Sequence, residues 1–411
     1  MSLFLRNYEA SMAKFTDAPD LFHPICAYAI FGALLTRWKY RCVLQGGVPP
    51  RWTNIWALLI GDSGGSRKST CINMAHAVMR RVDESIDAPT EGSPEGLLGW
   101  LSKRHQLEKN NACGIIVSSE FSLLLSQAQR TYSVALKPLL MDLHDIPPVK
   151  KRQLTKVEYV IPQPRIGMLG GIATDLLPSL SVSDDWLGGF FSRCLLIHGT
   201  RVRKEKRGGT PSDEVYAKHA DALFHALRRW RESQRKIAEK KNGHSSKRVM
   251  FDYDDAALKV VDLLPEPPEE PNLNGTLVRA SVHLHKLAAI EQIDENPEAS
   301  TIGKKATKRA LDYLMESWWK RVPEVIDECF ARSRSDFEGD RLARRIRRYI
   351  IRHGGSCQWA EVMRGCGIKS DEVRKAITSL EDAGMVKLGE GEGGAVMVTS
   401  LNVHAAENGD D

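Results

Sequence analysis

The chain has 411 residues, which at roughly 150 residues per domain is enough for two or three domains and at least one large core. With 42% hydrophobic and 27% charged residues, its composition is that of a folded globular protein and excludes a wholly disordered or fibrous molecule. The net charge of +6 is too small to identify a partner by itself.

Targeting and cysteine patterns predict an ordinary cytoplasmic protein. The first residues, MSLFLRNYEASMAKF, carry charges where the apolar core of a signal peptide would lie. The longest apolar run, 25–35, is shorter than the roughly 20 residues that cross a bilayer, so we expect no membrane partner. The cysteines form no CxxC or CxxH pair, which argues against a zinc site and a disulfide framework and favours buried thiols.

The first predicted elements are a helix and a strand over 20–45. Pro49 and Pro50 then break the chain before TNIWALLIG, an apolar run of strand length that leads into a Gly-rich loop and a helix. Two further runs, GIIVSSEF at 114–121 and RIGMLGGIAT at 165–174, are typical of buried strands. Strands that alternate with helices indicate an α/β core with a parallel sheet.

The second half of the chain is predicted to be mainly helical. LVRASVHLHKLAAIEQI and KKATKRALDYLMESWWKRVPEVIDECF have the pattern of long amphipathic helices, near an acidic, Pro-rich stretch at 264–274. From Gly339 onward, three helical segments and two short strands around a Gly-rich turn follow the order of a winged helix. The predicted organisation is an N-terminal helical segment 1–48, a P-loop ATPase core 49–210, a helical extension 211–335, a winged helix 339–403 and a disordered tail 404–411.

The loop after IWALLI has the context of a phosphate-binding P-loop, between a strand and a helix. Lys68 is expected to reach the β- and γ-phosphates of ATP, and Ser69 to ligate Mg²⁺, while loop N–H groups and the helix dipole hold the phosphates. Arg67 stands where a Gly is usual, and a Gly/Ser turn that merely caps a helix is the alternative. The residues predicted to contact the nucleotide are Gly61, Gly64, Gly65, Ser66, Arg67, Lys68, Ser69 and Thr70.

Two more candidate residues follow the next strands. Glu120 ends GIIVSSE and is the candidate to orient or deprotonate the attacking water, although Ser119 occupies the position of the usual acidic metal partner. An exposed Glu after a helix-capping Ser is the alternative. Thr174 follows GMLGGIA, where P-loop ATPases with an additional sensing strand carry a polar residue near the γ-phosphate; a plain strand-end Thr is the alternative.

Arg193 lies at a turn before the apolar strand CLLI. We expect it to act as an arginine finger on the nucleotide of an adjacent subunit, with a surface or capping Arg as the alternative. This role implies a homo-oligomer, and head-to-tail contacts that close produce a ring.

These motifs together resemble a known family. The resemblance is carried over roughly 20–335 by FHPICAYAIFGALLTRWKYR, TNIWALLIGDSGGSRKST, IIVSSEFS, GGIATDLL and GGFFSRCLLI, and by the later segments RASVHLHKLAAIEQI and KKATKRALDYLMESWW. Their order is similar to that of the helicase-type P-loop ATPase domain in replication proteins of phages, plasmids and integrated elements. The Ser-Arg-apolar pattern at 192–196, with a winged helix after the ATPase, also resembles mini-chromosome-maintenance AAA+ helicases.

The resemblance implies an AAA+/RecA-like parallel sheet, ATP and Mg²⁺ as cofactors and a hexameric ring that threads single-stranded DNA. A primase or origin-binding protein is the implied partner, and Arg279 would be a second sensing arginine. In a ring, the segment PPVKKRQLTKVEYVIPQP would form a central hairpin whose cations grip a DNA backbone. Those cations are Lys150, Lys151, Arg152 and Lys156.

Alternatives remain open for the basic elements and for the function. The hairpin is otherwise an exposed loop without a partner, and the basic stretch 201–241 contacts a polyanion or is a solvated helix face. The third winged-helix segment, KSDEVRKAITSLEDAG, is rich in acids and favours docking or modest duplex contact. The leading hypothesis is a DNA-dependent ATPase of helicase type acting in replication of a mobile element. The alternatives are an ATP-switched DNA-binding or helicase-loading protein with slow hydrolysis, and a winged-helix regulator that uses its P-loop domain to assemble.

Overall fold

The computed structural model divides the chain into two compact units, Met1–Phe330 and Ala331–Asp411. The predicted segments 1–48, 49–210 and 211–335 fall almost wholly in the first unit, where their apolar side chains share one core. The residues that the structure describes are 3–37, 41–44, 52–91, 93–108, 111–128, 135–153, 158–180, 185–186, 189–200, 209–240, 248–333, 346–347, 349–351, 353–366, 373–374, 377–378, 380–381, 386–391 and 396–400.

Helices and strands alternate through most of the part up to Ser333. In chain order they are α1 Phe4–Met12, α2 Phe22–Arg37, β1 Arg41–Leu44, β2 Trp56–Gly61, α3 Lys68–Asp83, β3 Asp87–Ala88, α4 Pro94–Leu107, β4 Cys113–Ser118, α5 Phe121–Ala128, α6 Leu136–Asp145, β5 Val149–Gln153, β6 Glu158–Pro162, β7 Arg165–Ala173, α7 Leu177–Leu180, β8 Cys194–His198, α8 Asp213–Lys240, β9 Arg248–Tyr253, α9 Asp255–Val261, α10 Pro271–Leu277, α11 Ala280–Glu295, β10 Thr301–Ile302, α12 Lys304–Leu314 and α13 Val322–Ser333.

The main sheet has five strands in the order β3-β4-β7-β2-β8, and every neighbouring pair is parallel. Its central strands are buried and read as continuous apolar runs, as expected for a sheet covered by helices on both faces. The prediction of an α/β core with a parallel sheet is confirmed. The order places β7 between β2 and β4, so the strand that ends before Thr174 separates the strands that end before the Gly-rich loop and before Glu120.

Helix α2 explains why the N-terminal segment does not stand apart from the core. Nearly all of its side chains are buried, and a helix that is apolar on every side must be covered on every side. It packs against β2, β4, β7 and α3. Its Gly32 allows a close approach, because a Cβ there would lie 2.2 Å from the carbonyl oxygen of Thr53, the residue that leads into β2.

Two smaller sheets complete the first unit. Strands β1, β9 and β10 form a parallel sheet in the order β1-β9-β10, which the sequence did not lead us to expect. Strands β5 and β6 pair antiparallel, with Lys151 opposite Val160. The hairpin predicted between the Glu120 strand and the Thr174 strand is therefore present.

The predicted long helix that follows Gly303 is interrupted. Helix α12 ends at Leu314, one π-helical segment covers Met315–Trp319, and α13 starts only at Val322. Pro323 accounts for the new start, because proline has no N–H to donate and is tolerated in the first turn of a helix but not in its interior.

The second unit has a core of its own, which includes Ile346, Val362, Val386 and Val398. Its elements are β11 Ser356–Gln358, α14 Trp359–Cys366, β12 Val386–Glu390 and β13 Val396–Ser400. The two predicted strands, β12 and β13, pair antiparallel, and β11 adds to β13 where we had expected the start of a helix. Most of the predicted recognition segment and the tail 404–411 lie outside the described residues.

Within the described ranges, no helix combines the length and apolarity needed to cross a bilayer. The same ranges hold no cluster of three or more His, Cys, Asp or Glu side chains arranged to bind a metal ion. Five cysteines whose surroundings are described are free and buried, as predicted: Cys26, Cys71, Cys113, Cys194 and Cys357.

Candidate functional site

The Gly-rich loop links the carboxyl end of β2 to the first turn of α3. Gly61 is the last residue of the buried strand and Lys68 is the first residue of the helix. Gly64 has a φ of 68°, in the left-handed region that glycine adopts without a steric penalty. The N-cap residue of α3, Arg67, makes no side-chain cap hydrogen bond, so the first-turn N–H groups have no side-chain acceptor from that residue.

Lys68 closes this loop from within. Its Nζ donates to the carbonyl oxygens of Gly61 and Asp62 and to Ser66 Oγ, each at 2.9 Å. Ser66 is fully buried and donates from Oγ to the carbonyl oxygen of Asp62 at 2.9 Å. Burial lowers the pKa of Lys68, and the charges of Asp62 and Glu120 oppose that shift. The ammonium is thus held at the centre of a compact turn.

Arg67 occupies an unusual backbone conformation. Its φ of 56° and ψ of 25° are left-handed, which costs a non-glycine residue about 1 kcal/mol. The position therefore has the backbone that a glycine would adopt most easily, although an arginine stands there. Its Nε donates to Asp17 Oδ1 at 3.1 Å, an ion pair that anchors the loop to the segment before α2.

Glu120 and Ser119 directly follow β4, at the same edge of the sheet as the loop. Glu120 is exposed and Ser119 is half-buried. The contact between this strand end and α3 depends on Gly171 of β7, where a Cβ would lie 3.0 Å from the carbonyl oxygen of Ser119 and 3.5 Å from Lys68 Cβ. The absence of a side chain at Gly171 therefore lets the end of β4, with Ser119 and Glu120, approach the start of α3.

Thr174 lies next to the start of the loop. Its backbone N–H donates to the carbonyl oxygen of Gly61 at 3.1 Å, in continuation of the β2–β7 pairing. Its Oγ1 is buried and has no hydrogen-bond partner among the described residues. A buried hydroxyl without a protein partner is uncommon, and this one lies beside the Gly-rich loop.

Arg193 and Arg279 lie at the opposite edge of the sheet. Arg193 directly precedes β8, whose first residue pairs with Trp56, the first residue of β2. Five residues of β2 separate this amino edge from the Gly-rich loop, a distance of about 17 Å. The structure brings the two arginines together on one carboxylate, Asp145, and not on the Gly-rich loop of their own chain.

Asp145 is a residue that the sequence reasoning missed. It is the last residue of α6 and is contacted by both arginines and by His144 Nδ1 at 2.9 Å. Burial alone would raise its pKa, but the hydrogen bonds from His144 and Arg193 and the charge of Arg193 hold it well below its usual range. A His-Asp pair at the end of an apolar helix was the available signal.

His144 connects Asp145 to the interior. Lys286 of α11 donates to His144 Nε2 at 3.0 Å and to the carbonyl oxygen of Asn54, before β2, at 2.6 Å. Burial lowers the pKa of His144 well below its usual value, and the charge of Lys286 adds to that shift. A neutral ring that accepts at Nε2 must carry its proton on Nδ1, so His144 donates to Asp145.

The hairpin cations are divided between its two faces. Lys150 pairs with Asp142 of α6, and Arg152 pairs with Glu95 of α4 at 3.2 Å. Lys151 alternates with them, lies on the other face and is exposed. That face also carries Val149 and Val160, which are 43% and 46% exposed. Lys156 lies outside the described residues.

The basic stretch 201–241 is described only in part, as the end of a loop and helix α8. In α8, Arg228 pairs with Glu232 at 3.1 Å and Arg229 with Glu298 at 3.3 Å. Two of its cations are therefore engaged in ion pairs within the chain, and such exposed pairs are weak.

No protein-family model matches the sequence, and no curated protein matches it either.

Proposed function

We propose that the chain is a P-loop ATPase of the DNA helicase or translocase type, with ATP and Mg²⁺ as cofactors. The observation that carries the proposal is the closed loop at the carboxyl end of β2, with Lys68 at its centre and the N-terminus of α3 behind it. In open parallel sheets, ligands bind beyond the carboxyl ends of the strands. A helix N-terminus and a lysine at that edge are suited to a polyphosphate.

The residues around the loop supply the remaining roles. On binding, the β- and γ-phosphates would take over the donors of Lys68, which now go to two loop carbonyls and Ser66 Oγ. Ser69 in the first turn would ligate Mg²⁺, Glu120 would orient or deprotonate the attacking water, and the unpartnered hydroxyl of Thr174 would contact the γ-phosphate.

The arginines support an assembled enzyme. Arg193 lies at the amino edge of the sheet, about 17 Å along β2 from the Gly-rich loop of its own chain, and Arg279 contacts the same carboxylate. Both arginines would therefore act on the nucleotide of a neighbour. Such a contact is head-to-tail, and its closure gives a ring, with six subunits as the family resemblance implies. DNA would pass through the ring, with the β5–β6 hairpin as its contact.

A second function is favoured by the residue at position 119. Ser119 presents no carboxylate beside Glu120, so a metal there would lack its usual acidic support. Slow hydrolysis would suit an ATP-switched DNA-binding or helicase-loading protein better than a motor.

The test is steady-state ATP turnover by the purified full chain, with and without single-stranded DNA. Lys68→Ala should abolish turnover and ATP binding, whereas Lys259→Ala, an exposed lysine on α9, should change neither. Wild-type-like turnover by Lys68→Ala would remove the P-loop assignment. Strand displacement on a forked duplex then separates a motor from a loader, and light scattering with ATP and DNA tests the ring.

A further inference from the structure

One carboxylate gathers the two arginines that lie at the amino edge of the main sheet. Arg193 approaches Asp145 from the turn before β8, with Nε at 3.3 Å from Oδ1 and 3.2 Å from Oδ2, and with Nη2 also on Oδ2. Arg279 approaches from the start of α11, with Nη1 at 3.3 Å from Oδ1. Two guanidinium groups from elements far apart in sequence are therefore held side by side.

Several further contacts fix the position of Arg193 beside Asp145. Arg193 Nη1 also donates to the carbonyl oxygen of Gly189 at 2.6 Å. Gly189 has a φ of 86°, and a Cβ there would lie 2.9 Å from Arg193 Nη1. Helix α11 is secured beside the pair by His283, whose Nε2 lies 3.1 Å from the carbonyl oxygen of Ser192. Backbone, helix and carboxylate thus all define where the guanidinium of Arg193 lies.

The most exposed member of the cluster is its carboxylate. The side chain of Asp145 is 39% exposed, compared with 12% for Arg193 and 25% for Arg279. His144 holds the carboxylate from the inner side. A phosphate accepts the same paired donors as a carboxylate, so the phosphate of an arriving nucleotide would take the place of Asp145 on the two guanidiniums.

We infer that Asp145 is a positioning residue, which holds Arg193 and Arg279 as one preorganised pair for the nucleotide phosphates of a neighbouring subunit. The inference rests on the proposed function. Without the carboxylate, two like charges at this spacing would repel and spread over many rotamers, and the pair would have to be ordered at each turnover. With the carboxylate present, the two guanidiniums are already oriented, and the phosphate takes the place of Asp145 as their acceptor.

The experiment uses the full chain and measures ATP turnover and ATP affinity separately. Asp145→Ala should keep the ATP affinity of its own intact P-loop while its kcat falls by about 100-fold, the cost of misplaced catalytic groups. Gly189→Ala, which keeps both arginines and the carboxylate but displaces the guanidinium, should also lower kcat. Asp312→Asn, an aspartate paired with Lys308 on α12, is the matched control and should leave kcat unchanged.

Mixing variants shows whether Asp145 acts on the nucleotide of its own subunit or of a neighbouring subunit. Subunits with Lys68→Ala cannot use their own site but still carry the arginine pair, so mixing them with Asp145→Ala subunits should restore turnover. Random assembly places the two intact halves together at about a quarter of the interfaces. Asp145→Asn supplies the same test if the alanine variant does not fold.

The outcomes separate a failure of the proposed function from a failure of the role of Asp145. If the wild type does not hydrolyse ATP, or if Arg193→Ala mixed with Lys68→Ala stays inactive, the proposed function or its shared site is wrong. If that mixture regains turnover but the Asp145→Ala mixture does not, Asp145 acts within its own subunit and the inference is overturned. Unchanged kcat in Asp145→Ala overturns it as well.

Discussion

The backbone N–H of Thr174 donates a 3.1 Å hydrogen bond to the carbonyl oxygen of Gly61, the first residue of the Gly-rich loop. This bond fixes Thr174 against the loop, while its side-chain Oγ1 is buried and has no partner in the described part of the chain. The two features together favour a role toward a ligand rather than a role in folding.

Replacing Thr174 by Val tests that role. An unpaired buried hydroxyl costs about 1–3 kcal/mol, so Thr174→Val should leave the free energy of unfolding unchanged or raise it. Its ATP turnover should fall by at least about tenfold, because the variant lacks the proposed donor to the γ-phosphate. Urea unfolding and steady-state turnover measure the two effects. Thr174→Ser, which keeps the hydroxyl, should stay active; equal activity of Val and Ser variants would make Thr174 a plain strand-end residue.

Glu120→Gln should bind ATP and fail to turn it over. The amide keeps the shape of the exposed side chain but cannot accept the proton of the attacking water. ATP affinity from fluorescence titration and the burst and steady-state rates of hydrolysis are the measurements. If the variant still hydrolyses ATP at the wild-type rate, another residue is the base.

The hairpin cations should contribute unequally to DNA binding. Lys150 is paired with Asp142, whereas the exposed Lys151 makes no ion pair with any described residue. Lys151→Ala should therefore weaken single-stranded DNA binding more than Lys150→Ala and flatten its salt dependence by roughly 0.7 in slope. Asp142→Asn should release Lys150 and tighten binding. Fluorescence anisotropy over a salt series gives these values. A larger loss of affinity from Lys150→Ala would show that DNA contacts the face of the hairpin that carries Lys150.

Asp294 should make stability depend on pH. Its carboxylate accepts hydrogen bonds from the N–H groups of Phe4 at 2.8 Å and Leu5 at 3.1 Å, at the start of α1. Burial raises its pKa to about 7, although these two hydrogen bonds oppose the shift. Between the unfolded pKa of about 3.9 and this value, the folded state binds more protons, so the free energy of unfolding falls as pH rises.

The expected loss between about pH 4 and pH 7 is about 3 kcal/mol from this group. Asp294→Asn should remove that slope at the expense of about 1 kcal/mol from one weakened hydrogen bond. Urea unfolding at pH 5 and pH 8 measures the difference, with Asp221→Asn on the exposed side of α8 as the control. An unchanged slope in Asp294→Asn would assign the pH dependence to other groups.

Local patterns in the sequence were sufficient for much of the fold. The apolar runs of β2, β4 and β7, the glycines between β2 and α3, and the short runs of β5 and β6 each depend on neighbouring residues in the chain. They therefore predicted strands, loop and hairpin correctly. The break at Val322 was missed because the periodic apolar pattern continues across Pro323, and only the geometry of the chain shows that the helix restarts there.

Tertiary structure alone decided which charged side chains meet. Nothing in the local sequence joins Arg193 to Asp145, 48 residues away, or Arg279 to the same carboxylate, 134 residues away. The sequence likewise showed four hairpin cations as one group, whereas neighbouring helices engage Lys150 and Arg152 and leave Lys151 exposed. Residue types and spacing determine which elements form, because those depend on local backbone and burial preferences. The pairing of long charged side chains depends on how distant elements pack, and that packing places the Gly-rich loop and the two arginines at opposite edges of the sheet in this protein.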